Sequence, residues 1–140
     1  MRVENINDYI FNIDSETALI IFISSDFIMC RDHYYLYIKK KFNSIKELKR
    51  QKKKTGEVSY IYKHGIYVFY LIISDYIENN IYNINIKKAL NELNKHVTNL
   101  NINTIATSKD HINIISEYYE NILEYMNEIF SNDITLYLYK

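Results

Sequence analysis

The 140-residue sequence contains no proline, no tryptophan, two glycines and one cysteine. This scarcity of proline and glycine excludes collagen-like repeats and argues against disordered linkers. A lone cysteine excludes an intrachain disulfide framework and favours a reducing compartment. We expect Cys30 to be a buried, inert thiol rather than a nucleophile activated by His33.

Long apolar runs are also missing. No segment reaches the ~18 apolar residues that a membrane-spanning helix needs, and the N-terminus lacks the apolar core of a signal peptide. We therefore expect a protein of the cytoplasm or nucleus. Hydrophobic content of 48% and charged content of 24% are typical of one globular domain, spanning residues 1–140. The heavy use of Asn, Ile, Lys and Tyr indicates an AT-rich genome, such as that of a large DNA virus or an AT-rich eukaryote.

Net charge is zero, but positive charge is concentrated between residues 39 and 54, where nine basic residues face Glu47 alone. We call this segment the basic stripe. It favours either a polyanion site or a solvated face. The residues that we expect to hold a polyanion are Lys49, Arg50, Lys52, Lys53 and Lys54.

Strands are predicted by continuous runs of apolar and β-branched residues. The run at 17–23 indicates a strand buried on both faces. Strands at 57–62 and 66–73 form a hairpin, with Gly65 suited to the positive φ of its turn. Short strands are predicted at 102–107 and 134–139.

Helices are predicted by apolar residues recurring every three or four positions. One helix covers 34–42, and the capping-box spacing of Ser44 and Glu47 predicts the start of a second. A third carries Ile86, Leu90, Leu93 and Val97, and a fourth extends from Ile115 to Ile129. The order of elements predicts a three-layer α/β/α sandwich around a mixed sheet of about six strands.

Several local stretches resemble the macrodomain family, and within it the terminal ADP-ribose protein glycohydrolases and ADP-ribose phosphate phosphatases. The most specific stretch runs from Lys39-Lys40-Lys41-Phe42 to Gly56-Glu57-Val58. The remaining matches are Ser24-Ser25-Asp26 with Met29, Glu47-Leu48, Gly65, Tyr67, Tyr70-Leu71-Ile72, Asn85, Lys88, Leu90, Glu120-Asn121-Ile122 and Glu128-Ile129-Phe130. The resemblance implies a macrodomain-like fold and ADP-ribose or an ADP-ribosylated protein as partner, with no cofactor.

The resemblance also implies a set of ligand-binding positions. Asp8 is placed where the family binds the adenine amino group. The family's glycine-rich phosphate loops are replaced by segments 26–32 and 107–113, which contain no glycine. Because side chains stand where phosphate oxygens would lie, we expect a narrow or polar crevice. The other implied ligand-binding residues are Ser25, Asp26, Met29, Ser74, Ser108 and Asp110.

Catalytic residues of the glycohydrolase branch are not matched. Its nucleophilic lysine corresponds to Ser74 or Asp75, and its partner aspartate to Ile115. Neither a serine nor a carboxylate can form the lysine's covalent adduct, and isoleucine cannot transfer protons.

A rebuilt active site is a further possibility, with Asp75, Ser108 and His111 as catalytic candidates. In it, Asp75 and Glu78 could act as acid or base, and His111 could pair with Asp110 or Ser108, although exposed loop residues are the simpler interpretation. The four histidines show no metal-ligand spacing. Tyr34, Tyr35 and Tyr37 could stack on a base, or belong to the core.

Three hypotheses follow from these residues. The first is a degenerate macrodomain that binds a nucleotide weakly, or whose pocket is filled by Tyr34–Tyr35 and Ile112–Ile115 so that it binds proteins. The second is an ADP-ribose-processing hydrolase with a rebuilt site. The third is a polyanion-binding protein that uses the basic stripe.

Overall fold

The computed structural model describes residues 1–13, 17–27, 32–75, 83–117, 119 and 121–140. Cys30, Met29 and Glu78 lie outside the described residues. The described strands are β1 (Arg2–Ile6), β2 (Ala18–Ser24), β3 (Val58–Lys63), β4 (Ile66–Ser74), β5 (Thr104–Ser108) and β6 (Thr135–Tyr139). The described helices are α1 (His33–Phe42), α2 (Ile45–Arg50), α3 (Asn83–Asn99), α4 (Lys109–Ser116) and α5 (Ile122–Ile129), and a 3-10 turn covers Ile10–Asn12.

The strands form one six-stranded sheet in the order β1-β6-β5-β2-β4-β3. All neighbours are parallel except β3 and β4, which form the expected antiparallel hairpin. Every residue of β2 is buried, and so is every residue of β4 except Tyr67. A parallel strand buried on both faces requires helices on both sides of the sheet, so the predicted three-layer sandwich is confirmed.

Four departures from the expected elements have local causes. β1 was not expected, because its alternating polar residues hide the pattern of an edge strand. The helix expected over 115–129 is two helices, α4 and α5. Segment 107–113, expected as a loop, is the end of β5 and the first turns of α4. Ser44 precedes α2 without a side-chain cap, because its hydroxyl donates to the Phe42 carbonyl oxygen at 2.6 Å.

The carboxyl ends of β2 and β5 mark the place where the chain divides. From β2 it continues through α1 and α2 towards β3 and β4, and from β5 it continues through α4 and α5 to β6 on the other side. β2 and β5 pair only at Ala18 with Ile105 and Leu19 with Ala106. Beyond these pairs the two strands separate. Such a switch point opens a crevice at the carboxyl edge of a parallel sheet.

Candidate functional site

A cleft of about 750 Å³ lies at this switch point. Its walls are the 3-10 turn after β1, the start of α1, the start of α4 and the end of β6. Its lining residues are Tyr9, Ile10, Phe11, Asp32, His33, Tyr34, Ser108, Asp110, Ile114 and Lys140. This volume lies in the range of small-molecule pockets. We expected a narrow or polar crevice: this volume contradicts a narrow one, whereas the lining does include the polar residues Asp32, His33, Ser108, Asp110 and Lys140.

A buried contact between His111 and Asp32 joins the two helices that border the cleft. The His111 side chain is 1% exposed, and its Nδ1 lies 2.9 Å from Asp32 Oδ2. The Phe22 N–H on β2 donates to His111 Nε2 at 3.0 Å. Since Nε2 accepts, the ring proton is on Nδ1 and is donated to the carboxylate.

Asp32 has a second task as the N-cap of α1. Its Oδ1 accepts from the Tyr35 N–H at 2.7 Å, which satisfies one of the free amides at the helix start. The Asp32 carboxylate thus ties α1 to α4, and His111 ties both to β2.

Three expectations about His111 are wrong. It is a buried helical residue and not an exposed loop residue. Asp110 is exposed on the first turn of α4, and the histidine pairs with Asp32 instead. His111 is also not poised as a base for Ser108, because both ring nitrogens are already hydrogen-bonded. Ser108 itself is 6% exposed and immediately precedes α4.

Tyrosines 34 and 35 belong to the core. Tyr34 is 2% exposed, and its hydroxyl donates to the Ile20 carbonyl oxygen at 2.5 Å. Burial raises the pKa of Tyr34 well above its ordinary value. Ile112 and Ile115 are also buried. These four side chains pack inside, yet the cleft beside them stays open.

A second polar cluster lies where β2 and β4 end. The Ser25 N–H donates to the Ser74 carbonyl oxygen at 2.8 Å. The Ser25 hydroxyl donates to the backbone carbonyl oxygen of Asp75 at 2.6 Å. The Thr55 hydroxyl donates to the Asp75 carboxylate, and the Ser24 hydroxyl donates to the Asp26 carboxylate. No residue of this cluster is among the described lining residues of the cleft. The structure thus groups Asp75 with Ser25 and Thr55, and not with Ser108 or His111.

Asp8 lies at the edge of the cleft. Its carboxylate accepts from the Tyr9 N–H at 2.7 Å and from the Asn12 amide at 3.1 Å, and so shapes the 3-10 turn. Its carbonyl oxygen accepts from the Lys140 N–H at 3.0 Å. Asp8 therefore positions two lining segments, the turn and the end of β6.

An aromatic rim flanks the cleft and was missed from the sequence. Tyr9 and Phe11 are 52% and 45% exposed, and their stacked rings lie 6.0 Å apart. Phe11 also meets the ring of Tyr37 edge-on at 4.7 Å. The sequence pattern that could have indicated this rim is the pair of aromatic residues, Tyr9 and Phe11, within three positions after Asp8. Large aromatic side chains are unusual in an exposed turn.

The basic stripe is divided between several environments. Lys41 Nζ donates to the Tyr37 hydroxyl at 2.9 Å, and Lys53 Nζ lies 3.8 Å from Glu92 on α3. Lys49 and Arg50 are exposed on the last turn of α2, and Lys52 and Lys54 are exposed in the loop that follows. The residues of the basic stripe therefore do not lie on a single helix face.

Among the described residues, no group of three or more histidine, cysteine, aspartate or glutamate side chains could hold a metal ion. No helix in the described part of the chain is long and apolar enough to span a membrane.

The chain is similar to two mammalian enzymes, although no family model matches it. It is 28% identical to the Bos taurus ADP-ribose glycohydrolase OARD1 over 144 residues, covering 99% of this chain and 91% of the relative. It is 31% identical to the Homo sapiens ADP-ribose glycohydrolase OARD1 over 107 residues, covering 72% and 67%.

Solved structures share the same fold. The macrodomain of Thermus aquaticus DarG superposes with a TM-score of 0.73 at 13% identity, over 99% of this chain and 97% of that one. Thermosipho africanus DarTG in complex with ADP-ribose superposes with a TM-score of 0.75 at 11% identity, over 99% and 41%. The sequence relatives and the shared architecture together show that this chain belongs to the macrodomain family.

Proposed function

We propose that the chain binds an ADP-ribose-type nucleotide, free or attached to a protein, in the cleft between α1 and α4. The observation that carries this proposal is the open cleft of about 750 Å³ at the switch point, bordered by an aromatic rim. Parallel α/β sheets bind nucleotides at such crevices. The similarity to a chain solved in complex with ADP-ribose supports this ligand.

Each part of the cleft suits one part of the nucleotide. The rings of Tyr9 and Phe11 offer a stacking surface to the adenine, with Asp8 at the edge to accept from its amino group. Ser108 and the first turn of α4 offer a hydroxyl and backbone N–H groups to the diphosphate. Lys140 also lines the cleft and contributes a positive charge to a lining that includes the carboxylates of Asp32 and Asp110.

We propose further that the nucleotide is bound without efficient hydrolysis. Ile115, at the position of the family's aspartate, is fully buried in the core. Ser74 is buried, and the Asp75 carboxylate accepts from Thr55. Neither position supplies a lysine nucleophile.

The second candidate function is hydrolysis by a rebuilt site. Two observations favour it: both sequence relatives are named as ADP-ribose glycohydrolases, and Ser25, Thr55 and Asp75 form a hydrogen-bonded cluster at the end of the sheet. An exposed carboxylate such as Asp75 could act there as a general base.

Calorimetric titration with ADP-ribose tests the binding. We expect saturable binding that weakens about tenfold or more in Phe11→Ala, because base stacking on an aromatic ring contributes about 1–3 kcal/mol. Tyr62→Ala is the matched control, since Tyr62 is exposed on β3, away from the cleft. No heat of binding, or equal loss in both variants, would refute the proposal.

An assay with a peptide carrying ADP-ribose on glutamate separates the two candidates. We expect no turnover above the spontaneous rate. Turnover that Asp75→Ala abolishes, while ADP-ribose binding persists, would establish the rebuilt site instead.

A further inference from the structure

A smaller groove of about 200 Å³ adjoins the cleft at the carboxyl edge of β1 and β6. Its described lining residues are Asn5, Ile6, Asn7, Lys109, Leu138 and Lys140. Lys140 also lines the cleft, so the two spaces meet at this side chain. We propose that the groove holds a phosphate on the 2′ or 3′ oxygen of the adenosine ribose, so that the chain prefers a ribose-phosphorylated adenine nucleotide to its unphosphorylated counterpart. This inference rests on the proposed binding of the nucleotide in the cleft.

Strand register brings the two lysines of the groove together. Ser108 on β5 pairs with Tyr139 on β6, and Ile6 on β1 pairs with the same Tyr139. Lys109 and Lys140 are the residues that follow β5 and β6, so both leave the sheet at the same edge. Because neighbouring strands lie about 4.8 Å apart, the two flexible side chains start close enough to reach one phosphate.

The groove is positively charged. Its described lining contains two lysines and no aspartate or glutamate. Among the described residues, neither Lys109 nor Lys140 forms a salt bridge. Asp8 uses its carboxylate in the hydrogen bonds that shape the 3-10 turn, and Asp110 lines the cleft but not the groove. Both ammonium groups are therefore available to an anion.

The place of the groove beside the cleft selects the adenosine ribose. Lys140 Nζ lies 5.6 Å from the centre of the Tyr9 ring, which is part of the stacking surface proposed for adenine. Lys109 directly follows Ser108, which is proposed to bind the diphosphate. The adenosine ribose connects adenine to the diphosphate, so in this pose it lies between these two ends and next to the groove. Its 2′ and 3′ oxygens are the positions at which this ribose can carry a further group.

The lining selects a phosphorylated ribose over a free one. In dinucleotide-binding folds an aspartate or glutamate accepts from the free ribose hydroxyl, whereas a nearby arginine accommodates a phosphate there. Lysine is a cation that also binds phosphate, and the groove offers two lysines and the side-chain amides of Asn5 and Asn7. Pockets for whole small molecules measure roughly 300–1,000 Å³, so this groove suits a phosphate group and not a second nucleotide.

Calorimetric titration with two pairs of nucleotides tests the groove. ADP-ribose 2′-phosphate is compared with ADP-ribose, and adenosine 3′,5′-bisphosphate is compared with AMP. We expect about tenfold or tighter binding of the ribose-phosphorylated member of one pair, because a hydrogen bond to a charged group contributes about one decade of affinity. The pair that shows this preference identifies the ribose oxygen that faces the groove.

Lys109→Gln shows whether the groove causes the preference. Lys109 does not line the cleft, and its substitution should reduce the preference to about threefold or less, because one of two cations is lost. Lys46→Gln removes the same charge from an exposed position on α2 and should leave the preference within about twofold, since salt screens distant exposed charges.

Two kinds of result would overturn the inference. Equal affinity within both nucleotide pairs, or equal effects of Lys109→Gln and Lys46→Gln on the preference, would overturn it alone, since binding of ADP-ribose would still support the proposed function. Absence of binding by all four nucleotides would refute both.

Discussion

At the residue scale, the contact between His111 and Asp32 holds together three elements that border the cleft. In sequence, His111 is 79 residues from Asp32 and 89 residues from Phe22, its two hydrogen-bond partners. The sequence shows that Asp32 and His111 lie in the two segments that replace the family's phosphate loops. It does not show that their side chains are in contact. This contact could be found only once β2 and β5 were placed side by side.

Replacing His111 by alanine should destabilise the protein by about 3 kcal/mol, because it leaves a nearly buried carboxylate and the Phe22 N–H without their partner. Thermal unfolding should show a loss of roughly 10 °C in Tm. His33→Ala serves as the control, since this neighbouring histidine is exposed and should change stability by less than about 0.5 kcal/mol. Equal effects of the two substitutions would contradict the assigned contact.

Two buried tyrosines make stability depend on alkaline pH. Burial raises the pKa of both the Tyr34 and the Tyr70 hydroxyl well above the usual value for tyrosine. The unfolded chain therefore loses these protons first, so stability is fully present below about pH 10 and falls as pH rises beyond it. Chemical denaturation across this range should show a smaller loss for Tyr70→Phe than for the unchanged protein. A stability curve that stays flat above pH 10 would show that the two phenols ionise freely.

At the element scale, strands were predicted better than their junctions. The hairpin was predicted because long β-branched runs flank a glycine, and Gly65 has the expected φ of +76°. His64 also has a positive φ, +56°, a conformation that is uncommon outside glycine although histidine adopts it more often than most residues do. The start of α4 was not predicted, because the family resemblance places a phosphate-binding loop at segment 107–113. The helical spacing of the apolar residues in α4 indicates a helix instead.

The two residues of this turn should respond oppositely to substitution. Gly65→Ala forces a Cβ into a left-handed conformation and should cost about 1–2 kcal/mol. His64→Asn should stabilise by up to about 0.5 kcal/mol, since Asn-Gly is the preferred pair for turns with two positive φ values. Thermal unfolding of both variants measures the difference. If Gly65→Ala were neutral, the turn geometry would be wrong.

The edge strand β3 carries its own protection. The Gln51 side chain donates to the Tyr60 carbonyl oxygen at 2.7 Å and accepts from the Tyr60 N–H at 3.1 Å, as a neighbouring strand would. Gln51→Ala exposes this backbone pair, and unprotected edges promote association between chains. We expect increased self-association on size-exclusion chromatography, with Gln51→Glu giving an intermediate result because it keeps only the acceptor. Monomeric behaviour equal to that of the unchanged protein would remove this role.

At the scale of the whole molecule, apolar runs and helical spacing were sufficient to predict the sandwich, because the central strands are buried on both faces. They were not sufficient to predict the width of the cleft. That width depends on where the 3-10 turn, the starts of α1 and α4 and the end of β6 lie relative to one another, which is a tertiary property. Likewise, the grouping of Asp75 with Thr55 rather than with Ser108 follows from strand order and not from sequence proximity.

The central claim is that the cleft between α1 and α4 is the nucleotide site, and titration with ADP-ribose followed by backbone amide NMR tests it most directly. The account predicts saturable shift changes concentrated at Tyr9, Phe11, His33, Ser108 and Asp110, with α3 unchanged. Shifts centred on Lys88 and Lys95, or no shifts at millimolar ADP-ribose, would contradict it.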